Sequence, residues 1–405
     1  MAKRGEYARF LRQAGAALGA GAALSMLLVL LVDPYRLYRL VERPGFNSVK
    51  PAPARFQEEI KLRGAGAVRA NVLMLGNSRA EIGFDPEYFS ARGYSAYNLA
   101  ISGSGIATAR SQLDSLRAAG QRPAVLLLGV EFLDFLLDPA LPPAPAPARR
   151  AAHPVDAWRW QLESLFSLDA LADALGTLRI QRQAEPESMT ARGFNPLLEY
   201  AAFARAGGYY DIFQQRAAEN ARGYLRKPRG LAPAHGGGNP DVEELRAIFA
   251  GLGEDGVDVE LVIYPYHAQI LALFEGAGLW PAFEQWKALL AGEVAAAAIA
   301  HPRARITLWD FSGYSAYQCE TIPAKGDTAS STRWYWEAGH FKPALGELVL
   351  ARILARGAAD GALGFPLTPA TLEENRRRIA LERAACASAY PQLFRDAAAL
   401  VKASR

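Results

Sequence analysis

The sequence predicts an α/β sandwich built on a parallel sheet, with one large insertion and a membrane-spanning helix at the N-terminus. Three observations predict it. Short apolar runs alternate with stretches of helical spacing, the rhythm of βαβ units. A proline-rich run, Pro139–Pro147, breaks that rhythm, which resumes after Gly236-Gly237-Gly238. Near the N-terminus, Ala14–Val32 is 19 residues without a charge, close to the roughly 20 that a span needs.

The elements follow in order. Lys3, Arg4, Arg9 and Arg12 precede the apolar stretch, and a basic flank stays cytoplasmic. Residues 33–405 are therefore expected on the far side of the membrane. The core is followed by Asp33-Pro34-Tyr35-Arg36, a poor cleavage site, so a retained anchor is expected rather than a cleaved signal. Residues 1–32 form the cytoplasmic tip and anchor, and 33–70 read as a juxtamembrane connector with little periodicity. The folded domain spans 71–405. Val72–Leu75, Tyr97–Ile101 and Val125–Leu128 are apolar runs of strand length, and Ile106–Ala119 has helical spacing and stops at Gly120. Residues 139–238 read as an insertion or cap over the sheet. Asn239 and Pro240 then start a helix running to about Leu252. Strands follow at Val257–Tyr264 and Ile306–Phe311. Pro343–Arg356 and Pro369–Lys402 look helical, with Thr368 as a cap.

Composition narrows the function. The chain is 51% hydrophobic and 21% charged, with a formal net charge of +4. It has no basic run interleaved with aromatics, so nucleic acid is not an expected partner. Cys319 and Cys386 are the two cysteines. An exported chain can pair them, but sequence alone does not show that they meet. Neither has a CxxC partner, so no zinc site is expected.

Chemistry points to two distant stretches. Leu75-Gly76-Asn77-Ser78-Arg79 puts a serine just after a buried strand, where a parallel sheet exposes its carboxyl edge. Trp336-Glu337-Ala338-Gly339-His340-Phe341 supplies an acid and a histidine at i and i+3. Nucleophile, base and orienting carboxylate are the parts of a serine acyl hydrolase or acyltransferase. Between them, Asn98-Leu-Ala-Ile-Ser-Gly-Ser-Gly105 follows a strand and opens a helix. His267, in Tyr264-Pro265-Tyr266-His267, and Asp310, in Trp309–Gly313, also end strands. Either could reach the cleft, His267 to bind substrate hydroxyls and Asp310 to orient His340 in place of Glu337. Each has a plain structural alternative, as a bonded core histidine or a turn-starting residue.

In these blocks the sequence resembles the SGNH (GDSL-like) hydrolases. The resemblance implies a flavodoxin-like three-layer sandwich with a central parallel sheet. It matches Ser78 to the nucleophile, His340 to the base and Gly103 to the glycine whose N–H helps form the oxyanion hole with the N–H of Ser78. Glu337 stands where aspartate is usual. One block departs: Leu128-Gly129-Val130-Glu131-Phe132 carries Glu131 where an asparagine donor is expected. An ionised carboxylate cannot donate to an oxyanion, and a lost donor costs about 10²–10³ in rate. Glu131 is therefore expected in a buried pair or at the cleft entrance, and its neutralisation to be harmless. Arg79 is a candidate substitute donor, and Asn98 a further cleft residue.

The departure is itself similar to membrane-anchored SGNH-like proteins of cell-envelope polymer acylation. The shared pattern is Asp33-Pro34 after the anchor, Gly76–Arg79, and Glu337–Phe341. This likeness implies a single-pass bacterial inner-membrane protein with a periplasmic domain. It would act as an esterase or O-acyltransferase on an exopolysaccharide or other envelope polymer, with a membrane-bound O-acyltransferase as a possible partner. The lipid bilayer is contacted through Ala14–Val32, and no metal or organic cofactor is implied. A non-catalytic scaffold or carbohydrate-binding subunit of a polymer export complex is the alternative.

Overall fold

The computed structural model describes residues 2–140, 154–233, 238–355 and 363–405. Helix α1 covers Ala2–Val32, and Gly5–Val32 within it is long and apolar enough to cross a membrane. Its C-terminal carbonyls are not left orphaned. Asn47 Nδ2 donates to the carbonyls of Leu31 and Val32, and Lys50 Nζ to that of Val32 at 2.6 Å. Asp33 accepts the N–H groups of Leu37, Tyr38 and Arg39. The exit from α1 is thus a tightly bonded polar turn. The connector also contains a helix, α2 (Gln57–Ala67), which the absence of an apolar stripe concealed.

The chain then alternates as expected. It runs β1 (Val72–Leu75), α3 (Ser78–Gly83), α4 (Glu87–Ser90), β2 (Ala96–Asn98), α5 (Ile106–Ala118) and β3 (Val125–Val130). Next come α6 (Pro154–Phe166), α7 (Leu168–Ile180), α8 (Glu199–Arg226), α9 (Pro240–Asp255) and β4 (Asp258–Ile263). The remainder is α10 (Ala268–Ala277), α11 (Trp280–Ala300), β5 (Ile306–Asp310), β6 (Tyr335–Glu337), β7 (His340–Phe341), α12 (Pro343–Ala355), β8 (Phe365–Pro366), α13 (Leu372–Ala389) and α14 (Pro391–Ala403).

The main sheet has the order β2-β1-β3-β4-β5-β8. Its first five strands are parallel, and β8 is an antiparallel edge. This is a mixed α/β fold with the 2-1-3-4-5 order of one doubly wound class. Every residue of β1 is buried, as suits a strand covered on both faces. Helices α2, α5, α9 and α11 pack in that succession. The central strands carry the core, from Val72 and Leu75 through Leu126 and Leu128 to Leu261 and Val262.

Three sequence expectations change. The helical region Pro369–Lys402 is two helices, because Pro391 cannot continue α13 and begins α14 instead. Thr371, not Thr368, precedes α13; the Thr368 N–H donates to the Thr371 hydroxyl. Residues 139–238 are not one cap over the sheet. Helices α6 and α7 pack on α1, whereas α8 packs on α10, α14 and β6. Most of the proline-rich run and Gly236-Gly237 lie outside the described residues. Asn239 does cap α9, accepting the Asp241 N–H at 3.0 Å. Cys319 and Cys386 form a disulfide that ties the loop after β5 to α13.

Candidate active site

The turn after β1 is shaped by Gly76, whose φ of 140° is open to glycine alone. A Cβ there would strike the Tyr264 hydroxyl. Asn77 then caps α3, its Oδ1 accepting the Arg79 N–H at 3.0 Å, and Ser78 opens the helix. The opposite half of the site is a small hairpin. Strands β6 and β7 pair antiparallel through the turn Ala338-Gly339, which brings Glu337 and His340 together. Glu320 holds this hairpin in place by accepting the N–H groups of Arg333, Trp334 and Tyr335.

The two halves meet. His340 Nε2 lies 2.8 Å from Ser78 Oγ, and His340 Nδ1 bonds Glu337 Oε1. The second Glu337 oxygen accepts the Gly339 N–H at 2.8 Å. Since Glu337 only accepts when ionised, Nδ1 carries the proton and Nε2 is free to accept from the serine. Glu337 is buried, and burial alone would raise its pKa. The His340 ring, the Gly339 N–H and the Arg79 charge outweigh that and hold the carboxyl below its ordinary range. Ser78 and His340 stay partly open to solvent.

The loop after β2 lies beside the Gly76–Ser78 turn. The Ile101 N–H and the Ser104 hydroxyl both bond the Gly76 carbonyl, at 3.1 and 3.2 Å. Gly103 sits exposed between them with φ of 75° and open space at its Cβ position. This loop is held from below by groups with no warning in the sequence. Glu81 accepts the N–H and hydroxyl of Ser102, and Lys61 Nζ bonds Glu81 at 2.8 Å and the Ala100 and Gly193 carbonyls. Lys61 and Glu81 are both buried. Only the tertiary contact between α2, α3 and this loop makes them partners.

The other candidates turn inward. Arg79 is not a surface charge. Its guanidinium pairs with Glu131 and lies over the rings of Tyr264 and Tyr266. Glu131 is buried in that pair and also accepts from the Tyr266 hydroxyl at 3.2 Å. Asn98 is fully buried, donating to the Ala80 and Phe84 carbonyls and accepting the Ala100 N–H. It ties β2 to α3 and is not available to substrate. His267 caps α10 by accepting the Gln269 N–H at Nδ1, while Nε2 bonds the Glu320 carbonyl at 2.9 Å. With both nitrogens engaged and no exposed surface, it cannot bind substrate hydroxyls. Asp310 is likewise buried, bonded to Ser312 and Asn375 and 3.5 Å from Lys287 Nζ. It bonds into the C-terminal helix region, and among the described residues Glu337 is the carboxylate on His340.

No family model matches this chain, and no curated protein matches it.

Proposed function

We propose that the chain is a membrane-anchored serine acyl hydrolase or O-acyltransferase of SGNH-like architecture. The observation that carries this reading is the continuous relay Ser78–His340–Glu337, with a neutral Nε2 at bonding distance from the serine. His340 takes the Ser78 proton as Oγ bonds the carbonyl carbon of an ester. The tetrahedral oxyanion faces the N–H groups of Ser78 and Gly103. As it collapses, His340 returns the proton to the leaving alkoxide. A second hydroxyl, from water or a sugar, then repeats the sequence on the acyl-serine.

Ser78 stays partly open to solvent, which leaves room for a bulky acceptor such as an envelope polysaccharide. The anchor and the disulfide support a domain held outside the cytoplasm, in the periplasm of a bacterium. The test is turnover of an acetyl ester reporter by the full chain in detergent. The parent should hydrolyse it, and Ser78→Ala should fall to the uncatalysed rate. A specific observation keeps the scaffold alternative in play: no asparagine donor stands at position 131. Equal, background-level turnover by parent and variant across short acyl donors would favour it.

A further inference from the structure

The inference concerns α6 and α7, and it rests on α1 spanning a membrane. Helix α1 is almost wholly exposed from Gly5 to Leu24 and, Leu27 apart, becomes covered from Ser25 onward, with Val29 and Val32 buried. What covers it is the α6–α7 hairpin. Ala170 and Ala174, four residues apart on α7, are fully buried in the same small cluster as Val29 and Val32, with Leu28 and Leu165 packed around it. Small residues at that spacing let two helices approach closely, as they do inside membranes. The covered stretch of α1 is the last eight residues of the apolar span. At 1.5 Å per residue it measures about 12 Å, within a hydrocarbon layer about 30 Å thick.

The opposite side of the hairpin carries a run of exposed apolar residues, and nothing among the described residues covers it. On α7, Leu168, Ala172 and Leu175 are exposed at i, i+4 and i+7, with Leu168 84% accessible. On α6, Leu162 and Phe166 are exposed one turn apart. A helix with apolar residues on both sides needs two apolar neighbours. One neighbour is the anchor. The charges near the hairpin are paired rather than bare: Arg55 bonds both Asp169 and Asp173, Tyr35 also bonds Asp173, and Arg159 pairs with Glu163 on α6.

We propose that the α6–α7 hairpin is embedded in the outer leaflet of the bilayer beside α1, with Leu162, Phe166, Leu168 and Leu175 in contact with lipid. The occupant of this face is lipid because the face is continuous with the anchor. The hairpin touches α1 along the very turns that lie in hydrocarbon, so its outward side is at the same depth. Each helix has 13 residues, about 20 Å, too short to span and long enough to lie in one leaflet. With the Asp33–Lys50 turn locking the anchor to the domain, the hairpin fixes the tilt of the whole domain on the membrane.

The full-length protein reconstituted in phosphatidylcholine–phosphatidylglycerol vesicles tests this. Leu168→Cys, Leu175→Cys and Leu381→Cys are each labelled with an environment-sensitive fluorophore; Leu381, on α13, is 73% exposed and serves as the water-facing reference. The native cysteines are already paired. Probes at 168 and 175 should be quenched by lipids brominated on the acyl chain. They should also be several-fold less sensitive to aqueous iodide than the probe at 381. Iodide sensitivity at 168 equal to that at 381 overturns the proposal. Protection from both quenchers overturns it too, since a protein partner or a second copy would then cover the face.

Discussion

Glu131 shows how one residue changes meaning once its neighbours are known. Beside an oxyanion its charge would be harmful, so its neutralisation looks harmless from the sequence. In the fold its carboxylate is buried against Arg79. Removing one charge leaves the other buried and unpaired, which costs about 3–5 kcal/mol. Glu131→Gln should therefore lower the thermal midpoint sharply and weaken turnover. The double variant Arg79→Met/Glu131→Leu should recover much of the stability, because no lone charge remains. Thermal unfolding of the two singles and the double checks this; additive losses would contradict it. His267 gives the pH dependence. Burial pushes its pKa down to about 4 from 6.5, so it stays neutral in the fold while the unfolded chain protonates below about 6.5. The unfolded state then binds more protons, and stability falls as pH drops from about 6.5 towards 4. Between pH 7 and pH 5 this group alone accounts for a loss of roughly 2 kcal/mol. His267→Asn keeps a side-chain acceptor for the cap and cannot protonate. Its unfolding should show a flatter pH dependence across that window than the parent's.

At the scale of elements, the site depends on how closely α3 and the β6–β7 hairpin approach. Gly83 ends α3 against the Phe341 ring, and Gly346 on α12 packs on the Gly83 carbonyl. Phe341 follows His340 directly and also packs on Phe84. A methyl at either glycine must displace Phe341 or part α3 from α12. Overpacking of this kind costs about 1–3 kcal/mol. Gly83→Ala should do more to activity than to fold, because moving Phe341 moves His340 away from Ser78. The expected outcome is a fall in kcat of ten-fold or more, about 1.4 kcal/mol, with KM little changed. Steady-state kinetics on the ester reporter, alongside circular dichroism, separates this from unfolding.

At the scale of the molecule, two cross-links hold distant parts of the chain. The disulfide closes a loop with a sequence separation of 67. In the chain-entropy picture a loop of that length stabilises by about 4 kcal/mol. Reduction, or Cys319→Ser with Cys386→Ser, should lower the thermal midpoint by several degrees and loosen α13 before the sheet. Hydrogen exchange resolved along the chain would show that order; uniform loosening would contradict it. The second cross-link is the polar turn after α1, where Asn47 and Lys50 bind the helix end. It ties the end of α1 to the connector that leads into the domain.

The sequence by itself pointed to the alternation of β1 to β5 with helices, the apolar N-terminal helix, and the trio Ser78, Glu337 and His340 that the fold brings together. Those signals are local: an apolar run, a turn glycine, an i, i+3 pair. It was silent on what depends on contacts between distant segments. Whether Cys319 meets Cys386 was open until the loop after β5 and α13 came together. Asn98 and Asp310 end strands, His267 follows one closely and Arg79 lies in the first turn of α3, positions where either a cleft or a core residue fits the pattern. Burial decides between those, and burial is set by the elements packed above each strand end. The tertiary structure turned all four inward, paired Lys61 with Glu81 under the Gly103 loop, and sent α6 and α7 to the anchor instead of the sheet. A charged or polar group reaches such a position only when a partner far away in the chain satisfies it, and no short stretch of sequence carries that partner.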